Sequence, residues 1–259
     1  MPRFAANIST LFTEEPFLER FECARQAGFR AVEFQYAYDY EPAELADRAA
    51  TAGVSVELMN APPGEVALGG MGLAALSGQE DAFKATIDEA LRYAQALGCE
   101  RVHVLAGQVG GDRDPHEALE TYISNLKWAC EHAASSLVSL LIEPINSRDR
   151  PRYFLNELAD ARSVIELVDE DNLRLQLDLY HCQIMEGDLL THLDEFAGLT
   201  EHIQIAGVPT RNEPDAGEIN YPYIFAHIDA MAYPGWIGCE YIPANGTSAG
   251  LGWFAPYRS

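Results

Sequence analysis

An α/β barrel of eight strand-plus-helix units is the fold this sequence predicts, and three observations predict it. Short β-rich runs alternate along the chain with longer segments whose apolar residues recur at i, i+3 and i+4. Eight such runs fit within 259 residues, close to the ~250 typical of an eight-unit barrel. The runs themselves are apolar, and strict alternation with helices implies a parallel sheet covered on its outer face. No Gly-x-Gly-x-x-Gly follows the first run, which removes the usual dinucleotide-binding alternative. The expectation is one (β/α)8 barrel over residues 1–259, the TIM-barrel arrangement, with no linker to a second domain.

The predicted strands are Phe4–Ile8, Ala31–Tyr36, Val54–Asn60, Arg101–Ala106, Ser139–Ile145, Leu173–Leu179, His202–Ala206 and Trp236–Tyr241. Between them Phe17, Phe21, Ala24 and Ala27 form a helical stripe closed by Gly28. Phe83, Ile87, Ala90, Leu91, Ala94 and Leu97 form another, closed by Gly98, where a helix C′ glycine belongs. Leu119, Ile123, Leu126 and Ala129–Cys130 make a third, and Leu158, Ala161, Ile165 and Leu167–Val168 a fourth. Asn220 is the expected N-cap of a later helix, and the last unit, Gly250–Tyr257, is short.

Three strand-to-helix connections are too long for simple turns. They are Ala61–Gly78, Asn146–Asn156 with Arg148, Arg150 and Arg152, and Gly207–Asn220. In a barrel such connections lie at the C-terminal rim of the strands, where active sites are built, and long loops there cap a pocket.

Composition narrows the function. Seventeen Lys and Arg against 40 Asp and Glu give a formal net charge of −23. Such a surface repels nucleic acid and anionic membranes. The five cysteines (Cys23, Cys99, Cys130, Cys182 and Cys239) are scattered with no Cys-x-x-Cys pair, which implies no disulfide framework. No apolar run approaches the ~18 residues of a membrane span, and the N-terminus runs straight into a strand pattern without a signal-peptide core. A cytoplasmic location is expected.

Four polar residues end apolar runs: Glu143, Asp178, Gln204 and Glu240. Carboxylates are costly at the ends of buried strands unless a cation or a proton compensates them. Their intervals (35, 26 and 36 residues by position) are close to one strand-plus-helix unit. Counting by twos places Ser139 and Leu141, Arg174 and Gln176, and His202 on the same inward face. Four oxygen donors from four strands suit a hard divalent cation, Mg or Mn rather than Zn. Glu143 and Glu240 come from the fifth and eighth strands, taken to face each other across the ring. Two carboxylates on opposite walls suit a proton shuttle across a planar enediol. His181 is a candidate partner for a substrate hydroxyl or carbonyl, and Arg211 a candidate clamp for a substrate carboxylate. For His103 and Asn60, a role as hydrogen-bonded interior residues is favoured.

Several strings carry a resemblance. Arg3-Phe-Ala-Ala-Asn7, Gly28-Phe-Arg-Ala-Val-Glu-Phe34, Leu140-Leu-Ile-Glu-Pro-Ile-Asn146, Asp178-Leu-Tyr-His181, His202-Ile-Gln-Ile-Ala206, Gly217-Glu-Ile-Asn-Tyr221 and Gly238-Cys-Glu-Tyr241 together resemble hydroxypyruvate isomerases, within the xylose-isomerase-like TIM barrels. By that resemblance Glu143 and Glu240 match the catalytic glutamates, and Glu143, Asp178, Gln204 and Glu240 the metal-binding positions. The resemblance implies an isomerase of a small hydroxy-oxo acid that interconverts hydroxypyruvate and tartronate semialdehyde, as in glyoxylate metabolism. The alternatives are a 2-oxo-tetronate isomerase, a ketose 3-epimerase, and a barrel that binds sugar acids without turning them over. Related ketose 3-epimerases carry His in place of Gln204. The loop Gly207-Val-Pro-Thr-Arg-Asn-Glu-Pro departs from the Asp/Asn-x-Pro-x-Arg form expected after this strand. A DNA-repair endonuclease on the same fold would need a His-rich zinc site and a basic groove, which seven His and a charge of −23 do not provide. A homo-oligomer is compatible with all of this.

Overall fold

The computed structural model describes residues 1–65, 70–111 and 113–258. Eight parallel strands close into a barrel in chain order: β1 (Phe4–Asn7), β2 (Ala31–Phe34), β3 (Ser55–Asn60), β4 (Arg101–His103), β5 (Ser139–Ile142), β6 (Leu173–Asp178), β7 (Thr200–Ile205) and β8 (Ile237–Cys239), with β8 pairing back onto β1. All eight predicted strands are present, most of them a residue or two shorter at the C-terminal end. There the chain leaves the ladder and turns into the rim loops.

The principal helices are α1 (Arg20–Ala27), α2 (Pro42–Ala52), α3 (Glu80–Leu97), α4 (Pro115–Ala133), α5 (Leu158–Val168), α6 (Leu179–Met185), α7 (Leu189–Glu195), α8 (Tyr221–Ala230) and α9 (Thr247–Gly250). Gly28 and Gly98 end α1 and α3 at φ 102° and 61°, the left-handed geometry a Cβ disfavours. The third stripe is buried at Leu126, Ala129 and Cys130 as expected, and the buried face also takes in residues on its other side. Ala118, Tyr122, Asn125, Leu126, Ala129 and Ala133 are buried on α4, while Leu119 and Ile123 stand at the margin. Asn220 occupies the N-cap position of α8, but its side chain makes no capping bond.

Strand alternation divides the buried residues into two sets. Outward residues such as Val32, Val102, Leu140, Ile142, Leu175 and Ile203 join the helices in one hydrophobic core. The inward apolar residues Ala5, Ala31, Leu58, Leu105 and Leu141 are buried apart from that core, beside the inward polar residues Asn7, Glu33, Asn60, His103, Gln176, Asp178, His202 and Gln204. Register sets Asn7 beside Glu33, Asn60 beside His103, Gln176 beside His202, and Asp178 beside Gln204. Arg174 also counts inward, but it ends at the N-terminal mouth of the barrel, where Nη2 donates to the Gly198 carbonyl at 2.6 Å. On the outer face Phe4, Phe225, Trp253 and Phe254 pack together, Phe4 lying edge-on to the other three at 4.9–6.0 Å.

The long connections brace one another over the C-terminal rim. Ala75 donates its amide to Ala106 at 2.7 Å, and the Tyr153 hydroxyl accepts the Ala106 amide at 2.9 Å. The Ala61–Gly78 connection includes residues 66–69, which lie outside the described residues. Among the described residues no helix is long and apolar enough to cross a membrane, and all five cysteines are free.

Candidate active site

Glu143, Asp178, Gln204 and Glu240 all end up buried at the C-terminal side of their strands, each 6% exposed or less. The ring order corrects one expectation. β5 and β8 are three positions apart, separated by β6 and β7, so Glu143 and Glu240 flank Asp178 and Gln204. The strand opposite β8 in an eight-membered ring is β4, which carries His103.

Glu143 and Asp178 form the tightest part of the cluster. His181 Nε2 lies 3.8 Å from Glu143 Oε1 and 3.5 Å from Asp178 Oδ2. Glu143, Asp178 and His181 each offer a ligand atom within 4.8 Å of the others. Asp178 Oδ1 caps α6 by accepting the Tyr180 amide at 2.8 Å. Glu143 Oε1 and Asp178 Oδ2 are buried without a hydrogen-bond partner among the described residues. Burial, then the Asp178 and Glu240 charges, pushes the Glu143 carboxyl well above its usual range. Burial raises Asp178 to about 7, opposed by Arg211 and supported by Glu240.

His181 is held in one tautomer. The Asp149 amide donates to Asn146 Oδ1 at 2.8 Å, which orients the Asn146 amide so that Nδ2 faces His181 Nδ1 at 2.6 Å. Asn146 N adds a longer contact to the same ring nitrogen at 3.4 Å. Nδ1 is therefore the acceptor and Nε2 carries the hydrogen, aimed at the carboxylates. Burial first, then Arg211 and Arg150, keeps this imidazole neutral by lowering its pKa. A nitrogen that carries hydrogen donates to an oxygen and does not ligate a metal.

Glu240 has both oxygens engaged. Oε1 accepts from Gln35 Nε2 at 2.8 Å and Asn7 Nδ2 at 3.2 Å, and Oε2 accepts from Arg211 Nη2 at 2.5 Å. The same Nη2 is 3.6 Å from Asp178 Oδ2, and the guanidinium lies over the Tyr180 ring at 4.9 Å. Burial works against the Arg211 charge, but Glu240, Asp178 and Glu143 outweigh it and hold the group protonated. Gln204 accepts from Gln176 Nε2 at 2.6 Å and donates to Glu33 Oε1 at 2.7 Å.

Glu33 was not among the expected site residues. It is fully buried on β2 and receives Asn7 Nδ2 at 3.0 Å, Gln204 Nε2 at 2.7 Å and His202 Nε2 at 2.6 Å. A Cβ on Gly238 would collide with both Glu33 carboxylate oxygens, so the missing side chain of β8 makes the room.

Gln35, Glu143, Gln176, His181, Arg211 and Glu240 open onto a cavity of about 180 Å³, lined also by Tyr36, Asn60, Met71, His103 and Arg150. That is below the ~300–1,000 Å³ typical of ligand pockets and suits a molecule of a few carbons. A wider cleft of about 460 Å³ lies away from it against Arg101, Arg174 and Tyr233, where Arg101 already pairs with Glu57 and Glu201.

The donor set fits a hard divalent cation. It consists of oxygens, and two of them, on Glu143 and Asp178, are buried, close together and unpartnered among the described residues. The barrel carries this candidate site at the C-terminal ends of its strands. The chain belongs to the xylose isomerase-like TIM barrel family, whose profile matches residues 21–257. It is 51% identical to the 2-oxo-tetronate isomerase of Cupriavidus necator, with 99% of each chain covered. It is 42% identical to the hydroxypyruvate isomerase of Escherichia coli, with 100% of each covered. A crystal structure from Brucella melitensis described as an AP endonuclease, family 2, superposes with a TM-score of 0.98 at 45% identity and full coverage of both chains. With curated relatives that are isomerases, the chain is an isomerase of this family.

Proposed function

We propose that the protein interconverts a short 2-oxo-3-hydroxy acid and its 2-hydroxy-3-oxo isomer, hydroxypyruvate and tartronate semialdehyde in the first instance. The carrying observation is that Glu143 and Glu240 open onto one small cavity that also holds two cations, Arg211 and Arg150. One glutamate takes the proton from C3 and the other returns a proton to C2, through an enediol, while the hydroxyl proton passes from O3 to O2. His181 Nε2–H donates to a substrate oxygen, and Arg211 holds the substrate carboxylate. Glu143, Asp178, Gln204 and Glu240 would hold a divalent ion, Mg or Mn, which would supply polarisation of the substrate carbonyl.

A second substrate is favoured by the 51% identity to a 2-oxo-tetronate isomerase. 2-Oxo-tetronate is hydroxypyruvate with an added CH2OH on C3, so the reacting atoms are the same. Gln35, Tyr36 and Asn60 offer polar partners for the extra hydroxyl in the cavity wall. A DNA-repair role is opposed by the net charge of −23. The test is a panel of both acids and neutral ketoses with Mg and Mn. Turnover of one or both acids supports the proposal, and their kcat/KM ratio assigns the substrate. Turnover of ketoses alone contradicts it.

A further inference from the structure

His103 ends β4 and lines the cavity beside Glu143, 1% exposed. Its Nδ1 lies 3.5 Å from Glu143 Oε2, yet among the described residues neither ring nitrogen has a hydrogen-bond partner. The chain has two other buried histidines, and both are bonded. His202 gives Nε2 to Glu33 at 2.6 Å, and His181 receives Asn146 on Nδ1. A buried imidazole with both nitrogens free is costly, because each has given up water without a replacement. Structural histidines avoid that position. Groups poised for a ligand accept it.

We infer that His103 is a substrate-binding residue, whose imidazole hydrogen-bonds the oxygen on the carbon that exchanges its proton with Glu143. The inference rests on the isomerase proposed above. Three features of placement support it. β4 adjoins β5, so His103 stands next to Glu143. β4 also lies across the ring from β8, so His103 and Glu240 approach a bound molecule from opposite walls. Finally, a neutral imidazole offers one donor and one acceptor. It can therefore engage a substrate oxygen without adding a third cation to Arg211 and Arg150.

The test compares His103→Leu and His103→Gln with the parent enzyme, by thermal melting without substrate and by kcat and KM for hydroxypyruvate and 2-oxo-tetronate. Leu removes both unpaired nitrogens at similar volume, so the His103→Leu chain should melt at or above the parent temperature. Its kcat/KM should fall roughly tenfold or more, the worth of one hydrogen bond to substrate. Gln restores a donor and an acceptor and should recover part of that loss. Opposite signs in stability and activity are not what a core residue gives. A His103→Leu chain that fails to fold or melts several degrees lower assigns the ring to the core and overturns the inference. So does kcat/KM within twofold of the parent. A parent enzyme inert to both acids instead overturns the proposed function, and this inference falls with it.

Discussion

The Arg211 guanidinium reaches across the rim to Glu240, with Nη2 2.5 Å from Oε2, while standing 3.6 Å from Asp178 Oδ2. One cation thus compensates carboxylates from two strands, and it arrives from a loop residue with φ 58°. Arg211 neutralises the protein's own acids, and in the proposed reaction it would also meet the substrate carboxylate.

Replacing Arg211 by Met should therefore have two effects. KM for hydroxypyruvate should rise far more than for a neutral ketose, because only the acid loses a charge partner. Stability should fall by roughly 1–3 kcal/mol, less than for a fully buried pair because the side chain retains some solvent contact. Steady-state kinetics on both substrate types and chemical denaturation check the two effects. Equal KM values for parent and variant on the acid would move the clamp elsewhere, with Arg150 the other cation lining the cavity.

Adding Mg or Mn should raise the melting temperature, since a ligand bound only by the folded state stabilises it by about 2.7 kcal/mol at a hundredfold excess over Kd. Asp178→Asn should abolish most of that gain. Asparagine keeps the oxygen that caps Tyr180 but gives up the charge that faces Glu143 and Arg211. Differential scanning calorimetry with and without chelator measures this. An unchanged metal response in Asp178→Asn would place the cation away from Asp178.

Gly238→Ala should destabilise the barrel by roughly 1–3 kcal/mol or more, because the new methyl group meets the Glu33 carboxylate in a packed interior. Displacing Glu33 also disturbs Gln204 and Asn7, which lean on it, so kcat should fall as well. A variant as stable and active as the parent would show that the network around Glu33 tolerates movement.

Strand ends were the legible part of this protein. A polar residue that closes an apolar run, as Glu143 and Asp178 do, declares its position without reference to distant sequence. Alternation by twos then placed Leu141, Gln176 and His202 inside, where they are found. Glu33 could not be read this way. It sits mid-strand between Val32 and Phe34, and its room depends on a glycine 205 positions later. The tautomer of His181 was hidden for a similar reason, since it follows from Asn146 and Asp149 on another loop. The relation of Glu143 to Glu240 was misjudged because opposition on a ring is a matter of strand count: three steps separate them, not four.

The most direct test of proton transfer between Glu143 and Glu240 is the interconversion rate of hydroxypyruvate, followed by NMR in D2O for the parent, Glu143→Gln and Glu240→Gln. Glutamine keeps the size and an oxygen but cannot accept the proton. The parent should isomerise the acid and place deuterium on carbon. Each variant should melt as a folded protein and lose at least about 10²-fold in rate. A folded variant that retains rate within a few-fold of the parent would contradict the assignment of its glutamate.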